Sequence, residues 1–379
     1  MPVQIGVLRE TAPGERRVSM VPRAMELLGK SGVEFLVESG AGEASGVSDG
    51  EYKEKGAQIA ASRDEVLERA RVILQVRANL LSGVADSRHT VIGFADPLSD
   101  AANCAEIAAR GATLFAMELM PRITRAQSMD ALSSMATIAG YKAVIMAADR
   151  LPRMFPLLMT AAGTVAPARV FVLGAGVAGL QAIATARRLG AVVSAYDVRP
   201  AVKEQVESLG AKFVALELEP SDAEDKGGYA KALGEDFYRR QRELLTGVLR
   251  QHDVVVTTAA VPGKKAPVLL TAEMVRGMPP GSVIVDLAAE RGGNCELTRP
   301  GETVIESGVM ILGPLNLPSE IPYHASQMYA RNVAAFLKHL VKDGELRINL
   351  DDEITRETLV AREGKVVHPR VLEMLGQPV

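Results

Sequence analysis

The segment from Arg169 to Asp197 constrains the fold of this 379-residue chain more than any other stretch of the sequence. It begins with an apolar run at 169–173, continues as Gly174-Ala-Gly-Val-Ala-Gly179, and passes directly into a helix-forming stretch. A second β-branched run then ends at Asp197. A strand, a glycine-rich turn, a helix and a second strand ending in an acid form the fingerprint of a dinucleotide-binding βαβ unit. The glycines alone are a weak signal, but this complete context predicts a Rossmann-type domain.

Each glycine of this turn has its own expected role. Gly174 permits the tight turn, Gly176 lets backbone N–H groups approach a diphosphate, and Gly179 allows the helix to pack closely on the strand. The alternative is a glycine-rich turn that binds no nucleotide. The predicted cofactor contacts in this region are Gly174, Gly176, Val177, Ala178, Gly179, Asp197, Val198 and Arg199.

The acid at the end of the second strand predicts which dinucleotide is bound. Asp197 is expected to accept hydrogen bonds from the adenosine ribose hydroxyls and to repel a 2′-phosphate, which favours NAD(H) over NADP(H). Arg199 complicates this prediction, because an arginine at this place can hold a 2′-phosphate. An arginine beside an aspartate more often pairs locally or stacks, so NAD(H) remains the prediction.

A second group of polar residues lies between a predicted strand and a long predicted helix, in the segment Glu118–Ser133. If this segment faces the carboxyl ends of the strands in the following domain, its side chains could hold a carboxamide and a ribose. On spacing alone, a helix N-cap with solvated charges is the favoured interpretation. The candidate residues are Arg122, Gln127, Asp130 and Ser133.

Further candidates lie beyond Asp197. Gly227-Gly228-Tyr229 is in a long insertion, where a lid that closes over a dinucleotide and an ordinary surface loop are about equally good hypotheses. Ala260 follows a predicted strand at the sheet edge where this fold class binds cofactors. Gly228, Tyr229, Gln241 and Ala260 complete the set of predicted cofactor contacts.

The alternation of β-branched runs with helical stretches predicts an α/β fold with two Rossmann-like, doubly wound parallel-sheet domains separated by a cleft and joined by long helices. We expect one long helix over 128–150 and a final helix over 325–341 that returns the chain to the first domain. The first domain is therefore predicted over residues 1–135 plus 323–379, and the NAD(H)-binding domain over 136–322. The predicted strands are Val3–Leu8, Val33–Val37, Val72–Val76, Thr90–Phe94, Thr113–Met117, Arg169–Leu173, Val192–Tyr196, Lys212–Leu216, Asp253–Ala259 and Ser282–Ala288.

The composition excludes several classes of protein. Hydrophobic residues make up 47% and charged residues 23% of the chain, which excludes disordered, collagen-like and coiled-coil proteins. A net charge of −3 without long single-sign blocks argues against nucleic acid as a partner. Cys104 and Cys295, far apart, exclude a disulfide framework. The five histidines show no metal-ligand spacing, so no metal site is predicted.

The sequence also gives an expectation about the compartment. The first residues enter a strand-like run without the basic and apolar regions of a secretory signal, so we expect an intracellular protein. Apolar stretches such as Pro156–Ala162 are much shorter than the roughly 20 residues of a membrane-spanning helix, so no direct membrane insertion is expected.

These segments, with Arg9–Pro22 at the N-terminus, resemble the superfamily of alanine dehydrogenases and proton-translocating nicotinamide nucleotide transhydrogenases over essentially the whole chain. Glu118–Ser134, Gly163–Asp197 and Gly227–Ala230 look specifically like the NAD(H)-binding component of the transhydrogenase, domain I of its alpha subunit.

The resemblance implies a homodimer that carries NAD(H) and is active only with partner subunits, as an Si-specific NAD(P)⁺ transhydrogenase. Hydride would pass directly to or from NADP(H) on a beta subunit, coupled to proton movement through the membrane. A second alpha polypeptide would supply membrane helices, which would hold this cytoplasmic chain at the inner face of the cell membrane. The resemblance also implies that Arg122, Gln127, Asp130 and Ser133 surround the reacting ring and that Tyr229 belongs to a mobile loop.

Two alternatives remain open. An alanine dehydrogenase needs groups that bind a carboxylate and shuttle a proton, and its lysine and histidine should stand near the ends of early strands. The corresponding stretches, Leu74–Ala78 and Val91–Asp96, contain neither residue. A non-catalytic NAD(H) sensor is the second alternative, which the fingerprint alone does not exclude.

Overall fold

The computed structural model describes residues 2–215, 235–260 and 263–378. The chain folds into two compact units, each with its own sheet and core. Unit 1 comprises Met1–Met135 and Pro318–Val379, and unit 2 comprises Ala136–Leu317. Unit 1 is therefore assembled from two separate stretches of the chain.

Strands and helices are numbered in chain order. The strands are β1 (Val3–Val7), β2 (Val33–Glu38), β3 (Gln58–Ala60), β4 (Val72–Arg77), β5 (Thr90–Phe94), β6 (Thr113–Ala116), β7 (Leu158–Thr160), β8 (Gly163–Val165), β9 (Arg169–Leu173), β10 (Val192–Tyr196), β11 (Lys212–Phe213), β12 (Val254–Thr257), β13 (Val283–Asp286), β14 (Thr303–Glu306), β15 (Val309–Leu312), β16 (Val341–Lys342), β17 (Glu345–Leu346), β18 (Leu359–Arg362) and β19 (Lys365–Val366). The α-helices are α1 (Pro22–Met25), α2 (Asp49–Glu54), α3 (Arg63–Arg69), α4 (Ala101–Ala109), α5 (Ala131–Arg150), α6 (Val177–Arg188), α7 (Lys203–Ser208), α8 (Glu235–Leu249), α9 (Ala272–Arg276), α10 (Pro322–Leu340), α11 (Glu353–Thr358) and α12 (Pro369–Met374).

Unit 1 contains a sheet with the strand order β19-β18-β6-β5-β4-β1-β2-β3. The strands β1 to β6 pair in parallel, whereas β18 pairs antiparallel with β6. Ile73 of β4 and Val91 of β5 are completely buried in one core with Val66 of α3 and Ile107 of α4. Parallel strands covered by helices carry such continuous β-branched sequences, which explains why the sequence predicts them well.

Unit 2 contains a sheet with the order β11-β10-β9-β12-β13-β15-β14, in which only the β14–β15 pair is antiparallel among the described strands. Val170, Val172 and Val254 face one buried core, and Phe171 and Val255 face another on the opposite side. Successive strand residues point to opposite faces, so both faces of this sheet are covered. The predicted class, α/β with two Rossmann-like parallel sheets, is confirmed.

The order of the strands places a ligand position in unit 2. From β9 the chain continues to β10 and β11 on one side, and it later returns to β12 and β13 on the other. Doubly wound sheets bind ligands outside the carboxyl ends of their strands at such a switch point. The residues that follow β9 and β12 therefore lie where a cofactor is expected.

The long helix α5 begins at Ala131, three residues later than the sequence predicts, because a 3₁₀ helix occupies Thr124–Met129. Among the helices that the structure describes, α5 alone is long and apolar enough to cross a membrane by length and composition. Its residues Ala143, Val144 and Ala147 are fully buried in a core of unit 2. A helix that packs in a protein core meets the same criteria of length and composition, so these criteria alone are weak evidence for a membrane span.

Candidate functional site

The glycine-rich turn follows β9 at the switch point of unit 2, and two of its glycines cannot be replaced without a clash. Gly174 has a φ of +98°, and a Cβ on it would lie 2.6 Å from the hydroxyl of Thr258. A Cβ on Gly179 would lie 1.9 Å from the carbonyl oxygen of Gly174. The predicted tight turn and close helix packing are both present.

Gly176 has a different environment. Its φ of −74° suits any residue, and of the residues that the structure describes a Cβ there would meet only the guanidinium of Arg199, at 4.0 Å. The protein packing itself therefore leaves space at Gly176. This fits the expected role, in which the missing side chain serves the approach of a ligand to the backbone.

The N-terminus of α6 follows this glycine. Gly176 is its N-cap, the described residues form no side-chain capping hydrogen bond there, and the first turn contains no acidic residue. The first N–H groups of a helix have no partner within it and lie at the positive end of the helix dipole. Val177 and Ala178 thus present N–H groups that suit a phosphate oxygen.

Two residues that the sequence did not single out support this turn. Thr258, directly after β12, donates a hydrogen bond from its hydroxyl to the carbonyl oxygen of Gly174 at 3.0 Å. Gly140 of α5 packs so closely that a Cβ on it would lie 2.1 Å from the carbonyl oxygen of Ala178. These contacts fix the turn from two sides.

The segment after β12 is fixed by Asn294, which is fully buried. Its Oδ1 accepts a hydrogen bond from the N–H of Ala259, and its Nδ2 donates one to the carbonyl oxygen of the same residue. Asp286 accepts the backbone N–H of Asn294 at 2.7 Å. The exposed Ala260, a predicted cofactor contact, thus follows a backbone that is held by a buried polar network.

Asp197 lies at the carboxyl end of β10 and is 8% exposed. Its Oδ2 accepts hydrogen bonds from the N–H of Ala175 at 2.7 Å and from Nη2 of Arg199 at 2.9 Å. Its Oδ1 accepts hydrogen bonds from the backbone N–H and from Nε of Arg199, both at 2.9 Å. Arg199 thus pairs locally with Asp197, as the sequence suggested for an arginine next to an aspartate.

Gln241 of α8 is 1% exposed and lies beside the end of β10. Its Nε2 donates a hydrogen bond to the hydroxyl of Tyr196 at 3.1 Å, while its Oε1 has no hydrogen-bond partner in the part of the chain that the structure describes. Burial raises the pKa of Tyr196 to about 12, so this phenol stays protonated at neutral pH. The buried Oε1 of Gln241, beside Tyr196, can therefore still accept a hydrogen bond.

The candidate segment of unit 1 is an ordered helix start. Asp130 accepts hydrogen bonds from the N–H of Ser133 at 2.9 Å and from its hydroxyl at 2.5 Å, which caps α5. In the preceding 3₁₀ helix, Ala126 and Met129 are buried and Gln127 is exposed. The helix N-cap that the spacing favours is thus present. In addition, the exposed side chain of Gln127 is carried by a backbone whose neighbouring side chains, Ala126 and Met129, are buried.

Four of the predicted residues belong to unit 1, namely Arg122, Gln127, Asp130 and Ser133. Gly228 and Tyr229 lie outside the described residues. The other predicted cofactor residues belong to unit 2, which brings Gly174, Gly176, Asp197 and Arg199 together at the glycine-rich turn. In residues 2–215, 235–260 and 263–378 no three His, Cys, Asp or Glu side chains form a group that could hold a metal ion.

A buried carboxyl group in unit 1 was not predicted. Oε1 of Glu118, after β6, accepts hydrogen bonds from the N–H groups of Ala95 and Asp96, and among the described residues its Oε2 has no hydrogen-bond partner. Desolvation by burial raises the pKa of Glu118 to about 7. This carboxyl group can therefore exchange a proton near neutral pH.

A doubly wound sheet with a glycine-rich turn, an uncapped helix N-terminus and an acid on the neighbouring strand defines unit 2 as a Rossmann-type domain of the dinucleotide-binding class. Comparison with known proteins gives the family. The model of the alanine dehydrogenase/PNT N-terminal domain matches residues 6–139, and that of the alanine dehydrogenase/PNT C-terminal domain matches residues 143–369. The chain belongs to the alanine dehydrogenase/PNT family.

Similar proteins fall in both branches of this family. The chain is 46% identical over 377 residues to a polypeptide of NAD(P) transhydrogenase subunit alpha from Rhodospirillum rubrum, and the match covers 97% of this chain and 98% of that protein. It is 28% identical over 386 residues to alanine dehydrogenase of Mycobacterium tuberculosis, covering 99% and 98% respectively. A transhydrogenase structure from Sinorhizobium meliloti, 45% identical, aligns with a TM-score of 0.86 over 96% of this chain and 100% of that one.

Proposed function

We propose that this chain is the NAD(H)-binding component of a proton-translocating transhydrogenase. The observation that carries the proposal is the uncapped N-terminus of α6 behind the glycine-rich turn, at the switch point of the unit 2 sheet. That position offers two N–H groups and open space at Gly176 to a diphosphate. The similarity to a transhydrogenase alpha chain over almost the full length of both proteins supports the choice of reaction.

The nicotinamide end of the dinucleotide is assigned to Arg122, Gln127, Asp130 and Ser133. Asp130 and Ser133 fix each other through two hydrogen bonds. Gln127 is exposed on a backbone anchored by buried neighbours, so little conformational entropy of the backbone is lost when it orients a ligand. The carboxamide group of a nicotinamide ring is oriented by such hydrogen-bond donors and acceptors when they stand in fixed positions.

The chemistry required of the chain is positioning. A bound nicotinamide supplies or accepts the hydride. Transfer between two nicotinamides moves no substrate proton, so correct placement of the ring suffices without a general acid. NADP(H) would be bound by a beta subunit, and a second alpha polypeptide would supply the membrane component and hold this chain at the cytoplasmic face.

The homodimer is proposed on an exposed apolar hairpin of unit 2. The strands β7 and β8 pair only with each other among the described strands. Met159 is 81% exposed, and Leu157 and Val165 are also exposed. A two-stranded hairpin alone is only marginally stable, and exposed apolar patches mark protein interaction sites, so we assign this hairpin to contact with a second copy.

One observation favours an alanine dehydrogenase instead. The chain is 28% identical to alanine dehydrogenase of Mycobacterium tuberculosis, and this similarity extends over 99% of the chain. Oxidation of L-alanine with NAD⁺ by the isolated chain would show this activity.

The proposed function is tested by combining the purified chain with the co-expressed beta subunit. Hydride transfer from NADH to the thio analogue of NADP⁺ should appear only when both are present. NADH binding without transfer would favour a sensor, and alanine-dependent NADH formation by the chain alone would favour the dehydrogenase.

A further inference from the structure

The carboxylate of Asp197 has no acceptor position left for a ribose in this structure. A carboxylate offers about four lone-pair sites. Two are used on Oδ1, by the N–H and Nε of Arg199, and two on Oδ2, by the N–H of Ala175 and Nη2 of Arg199. Ribose hydroxyls would therefore have to displace at least one of the arginine hydrogen bonds.

The guanidinium of Arg199 also places a positive charge at the nucleotide position. The side chain of Arg199 is 13% exposed and that of Asp197 is 6% exposed, so solvent screens the pair only partly. The Nη2 atom lies 4.0 Å from the position of a Cβ on Gly176, the glycine assigned to the approach of the diphosphate. The two opposite charges largely cancel for any ligand group that approaches from that side.

We propose that Arg199 is a specificity-determining residue that weakens the discrimination of this site between NAD(H) and NADP(H). An aspartate alone would repel a 2′-phosphate, whereas the Asp197–Arg199 pair repels it less. The guanidinium also lies close enough to pair with that phosphate once it is released from the carboxylate. Selectivity is therefore set by the pair and not by Asp197 alone. This inference rests on the proposed binding of NAD(H) in unit 2.

The test is a set of calorimetric titrations of the full chain with NADH and NADPH at one ionic strength. Arg199→Leu should raise the ratio of the NADPH to the NADH dissociation constant about tenfold, since the aspartate is then unpaired. Asp197→Asn should lower the ratio about tenfold, because the guanidinium becomes available to the 2′-phosphate. The double variant should lie between the two. Arg199→Lys keeps the charge without the bidentate geometry and should raise the ratio less than leucine does.

A matched control removes an arginine from another Arg–Asp pair in the same unit. Arg153 pairs with Asp253 at 3.0 Å. Asp253 directly precedes β12, so this pair lies at the amino ends of the strands, whereas the proposed cofactor site lies at their carboxyl ends. Arg153→Leu should leave the ratio unchanged within about twofold. Thermal unfolding of each variant checks that the fold is retained.

Two results distinguish a failure of this inference from a failure of the proposed function. If wild type binds NADH but Arg199→Leu leaves the ratio unchanged or lowers it, this inference is wrong and the proposed function stands. If wild type binds no NADH, the proposed function fails, and the inference fails with it.

Discussion

The side-chain amide of Asn332 donates a hydrogen bond to the carbonyl oxygen of Ser128 at 2.9 Å, across a sequence separation of 204 residues. Asn332 lies on α10 and is 6% exposed. Ser128 belongs to the 3₁₀ helix that displays Gln127. The segment of unit 1 assigned to the nicotinamide is therefore fixed by a helix from the far end of the chain.

Replacing Asn332 by alanine should slow hydride transfer about tenfold while the NADH dissociation constant changes less than threefold, because the contact orients the loop and does not bind the ligand. Loss of one buried hydrogen bond should also lower the free energy of unfolding by about 1 kcal/mol. Asn349→Ala, an exposed asparagine in the same unit, is the control. Equal losses in rate and binding would contradict a positioning role.

Shortening Gln127 to asparagine should reduce the transfer rate far more than NADH binding. The change keeps the amide but moves it by one methylene, and a displacement of about 1 Å can cost on the order of 10²-fold in rate. Steady-state transfer with the partner subunit and equilibrium binding to the chain alone separate the two effects. Gln58→Asn on β3 provides a control on an exposed glutamine of unit 1, and a proportional loss of binding would count against the proposed role.

The buried carboxyl of Glu118 predicts a pH-dependent stability. Its pKa is raised from 4.5 to about 7 in the folded chain, so the folded state keeps a proton that the unfolded state has lost. The stabilisation from this group is complete below pH 4.5 and is lost as the pH rises through about 7. Glu118→Gln should remove this dependence, and wild type should lose up to about 3 kcal/mol relative to the variant between pH 4.5 and pH 8.

Denaturant unfolding of both proteins across this pH range measures the difference, since other titrating groups cancel. Parallel pH profiles for wild type and Glu118→Gln would show that folding does not raise the pKa of Glu118.

The exposed hairpin of unit 2 predicts the oligomeric state. If the proposed homodimer forms through this hairpin, Met159→Asp should dissociate it into monomers in sedimentation experiments, because a charge buried in an apolar interface loses its hydration. Ile305 on β14 is 67% exposed in the same unit and gives the matched control, Ile305→Asp. A dimer that tolerates aspartate at residue 159 would exclude this hairpin as the interface.

Most of the fold could be predicted because buried parallel strands produce unbroken β-branched runs, as in β4 and β9. Four strands near the ends of the two sheets were missed, namely β14 and β15, which pair antiparallel with each other, and β18 and β19, which do the same. They are short, and the pattern of β14 alternates between exposed and half-buried residues, so no continuous apolar run marks it.

The glycine-rich turn could be predicted because its function depends on neighbours in the sequence. Thr258, Asn294 and Asn332 could not, because each acts on a backbone group that only the folded chain brings near. Gly140 could not be predicted either. The reason for a glycine at this place in a helix is the close approach of the carbonyl oxygen of Ala178, which only the folded structure shows.

The most direct test of the central claim uses Gly176, where the protein has space for a methyl group and a bound diphosphate would not. Calorimetric titration with NADH should show binding to wild type and an affinity at least about tenfold lower for Gly176→Ala, with the same thermal unfolding midpoint for both. Absence of binding to wild type, or equal affinity of the two proteins for NADH, would contradict the claim that this turn holds the dinucleotide.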